Sequence, residues 1–339
     1  MLRRLLWPGL LLALIGISII VSTAFGVVSI PLADVVTIFL THLVPNADTS
    51  GLDLMGQGKV RVVWELRWPR ALLACAVGGG LACVGAVLQG ATRNPLADPY
   101  LFGVSSGGVL GAVAHIVFIG ERGLMTIPLA AFAGACLSLL MVTTLVQQKN
   151  THVPAGRLIL AGVAVSFALT AIANFILFLG DHRAINAIIF WLLGGLGRAR
   201  WETVWFPIAA VICGVIVFSA FARQLNALAM GDESAMTLGI DVRRLRLVIL
   251  VVCALVTGVL VSLSGAIAFV GLMIPHVVRA MIGADYRWVI PISAGVGAVF
   301  LIWIDVIARL VFAPQELPIG IITSGIGGIF FLFFIRRLR

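Results

Sequence analysis

Charged residues are sparse in this chain, and the gaps between them set its architecture. Stretches free of Asp, Glu, Lys and Arg cover residues 5–33, 71–92, 99–120, 123–148, 158–180, 203–222, 247–278, 288–304 and 317–335. A helix needs about 20 apolar residues to cross the hydrocarbon core, with a range of about 17–25. All but one of these runs predict a single helix. The run 247–278 is too long for one span and short for two, and Ser262, Ser264 and Gly265 interrupt it. A helix ending there, and a second running through Arg279 towards Gly283, gives ten spans.

Topology supports an even number. Arg3 and Arg4 begin the chain, and Arg336, Arg337 and Arg339 end it. Basic flanks favour the cytoplasm, which places both termini inside. The inside segments of a ten-span topology then carry 14 of the 23 basic residues, Arg93, Lys149, Arg157, Arg223, Arg243, Arg244, Arg246, Arg279 and Arg287 among them. The first run resembles a signal peptide, but it is long for one, and Ser22-Thr23-Ala24 is a poor cleavage site, so it is read as a retained helix.

The polar segments have structure of their own. Between Arg223 and Arg246 the apolar positions Leu225, Leu228, Met230, Ala235, Met236 and Leu238 recur with helical spacing, and Gly231 and Gly239 break the pattern. This predicts two short helices joined by a turn, forming a cytoplasmic arm. Outside, Asp34 to Leu43 reads as a surface helix and Asn46 to Gly58 as a loop. The apolar piece Ala184 to Gly197 is too short to span and reads as re-entrant or interfacial. Gly78 to Pro99 and Gly258 to Pro275 are both Gly-rich, interrupted helices, each opening a group of four spans. Spans 2–5 and 7–10 would then be inverted repeats, a transporter signature.

Composition agrees with this pattern. The chain of 339 residues is 61% hydrophobic and 11% charged, where soluble domains are about 25% charged. The expected fold class is an all-α polytopic membrane protein: one transmembrane domain, residues 1–339, with 223–246 as an arm within it. A net charge of +9 reports topology first and gives no reason to expect nucleic acid. Cys75, Cys83, Cys136, Cys213 and Cys253 lie singly in apolar runs and read as packing residues. His42, His115, His152, His182 and His276 lack an i,i+4 partner ligand, so no metal site is expected.

Several ordered motifs carry a family resemblance. They are Arg67-Trp68-Pro69-Arg70, Gly85-Ala86-Val87-Leu88-Gln89-Gly90, Arg93-Asn94-Pro95-Leu96-Ala97-Asp98-Pro99, Gly103-Val104-Ser105-Ser106-Gly107, Trp191-Leu192-Leu193-Gly194-Gly195, Gly265 through His276, and Glu316-Leu317-Pro318-Ile319-Gly320. From about residue 60 onward the chain resembles the membrane subunits of bacterial ABC importers for iron-siderophore, heme and cobalamin. The resemblance implies ten spans, a dimer of permeases (a homodimer favoured here), two cytoplasmic ATP-binding subunits and a periplasmic substrate-binding protein, all at the bacterial inner membrane. It makes the arm the coupling helices, with Ala229, Met230, Gly231, Asp232, Glu233, Ala235, Leu238 and Gly239 meeting the ATPase. Ordinary helix ends and a structured loop are the bland alternative. No GxxxxGK[ST] sequence occurs, so hydrolysis belongs to another chain, together with its ATP and Mg.

The same resemblance assigns Arg67, Arg70 and Arg309 to docking of the binding protein, since a planar guanidinium pairs bidentately with carboxylates. Against that, Asp305 lies four residues before Arg309 and could neutralise it along the helix, and Arg67 and Arg70 could be interfacial anchors. Ala155 and Gly156, in the loop from His152, fall at the family's inner gate, where some relatives carry hydroxyl residues. The break at Asn94-Pro95 ends a helix or provides a hinge. Gly162, Ala164, Ser166, Thr170 and Asn174 of span 5, with Thr323, Ser324 and Gly325 of span 10, are expected along the translocation path or in close helix packing. The cargo expected is heme or a ferric siderophore, with cobalamin as the alternative. Two other readings compete. Ser105 or Ser106 with His115 or His276 would suit an intramembrane serine protease. A channel or secondary carrier would need buried carboxylates that spans 1–7 almost wholly lack, and would have no use for the arm.

Overall fold

The computed structural model describes residues 2–43, 56–120, 123–146, 155–181, 185, 188, 189 and 191–337. Helices α1 (Leu2–Ala24) and α2 (Leu32–Leu43) precede α3 (Gln57–Thr92), which contains a π-helical turn over Val62–Arg67. A 3₁₀ turn, Pro99–Phe102, leads into α4 (Val104–Phe118), then α5 (Thr126–Val146), α6 (Ala155–Phe178) and α7 (Trp201–Ala220). The arm holds α8 (Ala222–Ala229) and α9 (Asp232–Thr237). The chain closes with α10 (Val242–Ser264), α11 (Val270–Ile282), α12 (Tyr286–Leu310) and α13 (Ile319–Arg337). The described residues are helical or irregular and include no strand.

Among the described residues, seven helices are long and apolar enough to cross a membrane: α1, α3, α5, α6, α7, α10 and α12. Two of the other three expected spans are short, at Val104–Phe118 and Val270–Ile282, while α13 runs for 19 residues. Both short helices have a local cause. Arg93, in the left-handed region at φ 51°, closes α3, and the chain turns through residues 94–103 before α4 begins. Gly265, at φ 66°, ends α10, and the next four residues are non-helical, with Phe269 also left-handed at φ 69°. The predicted break in the run 247–278 therefore falls at Gly265, and α11 ends before Gly283 as expected.

Helix α3 is the hub. Every residue of it from Trp68 to Thr92 is buried except Leu72 and Cys75. Its glycines permit backbone contact. A Cβ on Gly78 would lie 2.2 Å from the Gly297 carbonyl oxygen of α12, and one on Gly85 would lie 1.8 Å from that of Gly271 in α11. Such close approach between helices is how membrane interiors gain dispersion energy where lipid and side chain are equally apolar. Gln89 adds a polar stitch, its amide donating to the carbonyl oxygens of Gly271 (3.1 Å) and Leu272 (3.3 Å), while Arg279 bonds its Oε1.

At the other end of α3 an aromatic cluster joins three elements. Phe39 of α2 stacks on Trp68 at 4.4 Å, His42 stacks on Trp64 at 4.1 Å, and Trp201 of α7 packs 5.0 Å from Trp64. Trp201 also donates to the Trp64 carbonyl oxygen at 2.8 Å. The predicted surface helix is thus α2, held by its apolar face. The loop from Asn46 lies outside the described residues up to Leu54-Met55, as do His152, His182, Lys149 and Arg339.

Candidate functional site: a polar arm, a braced rim and two cavities

The arm forms as its pattern predicts, with Gly231 (φ 129°) and Gly239 (φ 79°) at its turns. Its residues divide by direction. Leu225 and Leu228 of α8 and Ala235 of α9 are buried against the bundle. Met230 is 76% exposed and Leu238 67%, and Met236, Glu233, Ala229 and Gly239 also face outward.

Asp232 does not join that surface. Its carboxylate accepts two hydrogen bonds from the Arg246 guanidinium, both at 2.8 Å, and lies 3.6 Å from Arg93 Nε. Arg246 is buried and also donates from Nε to the Ala91 carbonyl oxygen at 2.9 Å. Asp232 and Ala235 thus face the bundle, while Met230, Glu233 and Leu238 face outward. On the other arm helix, Asn226 donates to Asp285 Oδ1 at 2.7 Å and accepts from Tyr286 N–H at 2.9 Å, gripping the N-terminus of α12. Burial alone would raise the Asp285 carboxyl, but the bonds from Asn226 and Arg287, with the Arg287 charge, outweigh it and hold it below the usual carboxylate range. Sequence reading missed Asn226, because its partner lies 59 residues away. The only local signal was Asp285 as an N-cap before Tyr286.

The opposite rim carries Arg67, Arg70 and Arg309, and all three are buried. Arg67 donates to the carbonyl oxygens of Thr23 (2.9 Å) and Ala24 (3.2 Å) at the end of α1 and of Val28 (2.5 Å) just beyond it. Arg70 pairs through Nε with Asp305 at 2.9 Å and through Nη1 with both oxygens of Glu316, at 2.9 and 2.8 Å. Arg309 lies 3.1 Å from Asp305 Oδ2 and donates to Phe25 O at 2.9 Å and Ser22 O at 3.2 Å. Together the three side chains form an internal brace. The i,i+4 neutralisation by Asp305 is real, and Arg70 shares in it.

Beside this brace is a cavity of about 610 Å³. Residues from the 191–198 segment, the break at Leu263–Gly265 and Gln315–Ile319 line it, together with Arg70. Backbone bonds tie these pieces: Gly195 N–H to Ser264 O (2.9 Å), Ile319 N–H to Gly194 O (3.0 Å) and Gly320 N–H to Leu193 O (3.0 Å). The apolar piece predicted as re-entrant is described at residues 185, 188, 189 and 191–197, while Ala184 and three others lie outside the described residues.

A second cavity, of about 460 Å³, lies between α4 and α6. Ser166, Thr170 and Asn174 line it, facing Ser105, Ser106 and Tyr100. The Ser166 hydroxyl is buried there with no hydrogen-bond partner among the described residues. Gly162 packs beside Gly103 at one edge. Thr323 is turned inward, donating to Gly320 O at 3.3 Å, and neither it nor Ser324 lines this cavity. So α6 brings its expected residues together, while those of α13 lie elsewhere. Ala155 and Gly156 begin α6, and Gly156 is exposed. No group of three or more His, Cys, Asp or Glu side chains that could hold a metal ion occurs among the described residues.

Residues 12–337 match the family model described as the FecCD transport family. The chain is 43% identical over 275 residues to the cobalamin import system permease protein BtuC of Halobacterium salinarum, covering 81% of this chain and 73% of that protein. It is 38% identical to the hemin transport system permease protein HmuU of Yersinia pestis, covering 82% and 84%. A solved structure described as an inward-facing conformation of a metal-chelate type ABC transporter superposes with a TM-score of 0.83 at 28% identity, over 97% of this chain and 98% of that one. With a helical bundle, an apolar-tipped arm and relatives over nearly its whole length, the chain belongs to the FecCD transport family and is the permease of a metal-chelate type ABC importer.

Proposed function

We propose that this permease carries an iron chelate, heme or a ferric siderophore, across the bacterial inner membrane by alternating access. The observation that carries the mechanism is the arm. It exposes Met230, Met236 and Leu238 on one side and is bonded to the bundle on the other. An apolar ridge flanked by charge suits a cleft in a cytoplasmic ATP-binding subunit. Two such subunits, two copies of this chain and an external substrate-binding protein make up the working assembly. ATP and Mg reside on the ATPase.

In this reading ten helices span the membrane with both termini inside, and the two inverted groups, spans 2–5 and 7–10, rock against each other. Helices α4 and α11 cross with help from the irregular segments that adjoin them, which are tolerated because they are packed in protein. The binding protein seats on the rim that Arg67, Arg70 and Arg309 brace, and the cargo passes the small hydroxyl and amide side chains of α6, with α13 contributing across the dimer. Ala155 and Gly156 then stand at the inner mouth.

Cobalamin is the second reading, supported by the 43% identity to a cobalamin permease. The test is uptake into proteoliposomes holding the co-purified complex. Hemin, ferric hydroxamate, ferric dicitrate and cobalamin are each offered with ATP inside. Uptake of either iron chelate class supports the first reading, and uptake of cobalamin alone supports the second. A chain that brings down no ATP-binding subunit in mild detergent, with 229–239 intact, refutes the mechanism.

A further inference from the structure

The two arm helices are fastened to the bundle in different places, and both places belong to one rigid unit. On α9, Asp232 is held bidentately by Arg246, whose third donor reaches the Ala91 carbonyl oxygen in the last turn of α3. Arg93, the left-handed residue that closes α3, adds its charge 3.6 Å from the same carboxylate. On α8, Asn226 bonds both the side chain of Asp285 and the backbone N–H of Tyr286, at the start of α12. Helices α3 and α12 touch backbone to backbone at Gly78 and Gly297, where a Cβ on either would lie within 2.4 Å of the other's carbonyl oxygen. Further along the pair, the side chain of Tyr286 lies 2.6 Å from where a Cβ of Gly90 would be. At the far rim, Arg70 of α3 and Asp305 of α12 join them again at 2.9 Å.

We infer that Asp232 and Asn226 are the positioning residues through which displacement of the arm drives α3 and α12 as one strut, delivering motion to the opposite rim at Glu316. Geometry favours a strut over diffuse transmission. Charge-assisted bidentate bonds resist both sliding and rotation, and helices in backbone contact cannot shear without first separating. Arg70 then carries the movement to Glu316, which sits in the loop between α12 and α13 at the edge of the 610 Å³ cavity. Asp232 and Asn226 are bonded to the bundle rather than turned outward with Met230 and Leu238. The inference rests on the reading of the arm as an ATPase-docking element.

The experiment separates the two. The full complex is purified and reconstituted in nanodiscs, with bromobimane attached at Gln315→Cys on a Cys213→Ser background. Gln315 is exposed beside Glu316, and Cys213 is the exposed native thiol among the described residues. Emission is recorded before and after ATP with vanadate, and the shift is normalised to the ATPase retained. The unaltered arm should give a shift. Asp232→Asn and Asn226→Ala should each reduce it by roughly two- to thirtyfold, the span of coupling changes seen for residues that touch neither site. Asp232→Glu should restore part of it, which a general loss of fold would not. Leu238→Glu should instead release the ATPase. Equal normalised shifts in both anchor variants and the parent would overturn the inference, as would a parent complex that binds ATPase without any shift. A parent chain that retains no ATPase overturns the docking reading itself. Should Asp232→Asn fail to fold, Asn226→Ala and Asp232→Glu still decide the matter.

Discussion

Replacing Asp305 by Asn removes a single charge from a site where two cations depend on it. The Asp305 side chain is 1% exposed, with Arg70 Nε at 2.9 Å on one oxygen and Arg309 Nε at 3.1 Å on the other. Arg70 has a second partner in Glu316, but that carboxylate is 47% exposed and its hydrogen bonds go to Arg70. Without the Asp305 charge, two buried guanidinia share one half-hydrated carboxylate. Each close pair is worth up to about 4 kcal/mol at the effective dielectric that suits partly buried sites. Breaking a buried pair by removing one partner typically costs about 3–5 kcal/mol. An amide keeps one hydrogen bond, so about 3–4 kcal/mol is expected for Asp305→Asn. Glu316→Gln, by contrast, removes a half-exposed partner and should cost about 1 kcal/mol or less. At roughly 2–4 °C per kcal/mol, the melting midpoint in detergent, read by size-exclusion fluorescence after heating, should fall by about 10 °C for Asp305→Asn and by about 2 °C for Glu316→Gln. If Glu316→Gln is the more damaging, the brace is centred on the exposed pair and the reasoning fails.

Other consequences are simpler to state. Gly85→Ala drives a methyl to 1.8 Å from the Gly271 oxygen; overpacking of about 1–3 kcal/mol or more should lower the same midpoint, whereas Gly156→Ala, which meets nothing within 4 Å, should leave it unchanged. Reversing charge at Arg67 and Arg309 together should abolish recovery of folded protein, as both hold carbonyls at and just beyond the end of α1. Normal yield with weakened binding-protein affinity would return those residues to a docking role.

What the sequence revealed depended on whether the cause was local. Gly231, Gly239, Gly265 and Gly283 end helices through their own backbone, and all four were legible as breaks. The arm was legible because its apolar spacing stands out against its charges. The brace was not: Arg70 meets partners 235 and 246 residues away, and only the i,i+4 pair of Asp305 and Arg309 is visible along one helix. Burial was equally hidden. The apolar windows of α3 and α6 have mean hydropathies of 2.2 and 2.1, yet 89% of the first and 22% of the second are buried. Lipid and protein interior select the same side chains, so hydropathy finds the membrane without saying which helix lies at the centre. Glycines at 78–80, 85 and 90 were the remaining signal, and they read equally well as a repeat. The path residues divided for the same reason: small polar positions on α6 meet a cavity, while Thr323 on α13 satisfies its own helix.

The central place of α3 bears on how the protein is made. It leaves the ribosome second among the long helices, but the surfaces that enclose it come from α7, α10, α11 and α12, whose residues run from 201 to 310. Until these are synthesised, a glycine-rich groove faces lipid with the Gln89 amide and Arg70 unpaired by Gly271, Asp305 or Glu316. Nascent chains stopped before residue 270 should therefore hold α3 in a state open to membrane proteases and insertion chaperones. Release of α12 would be the event that closes it.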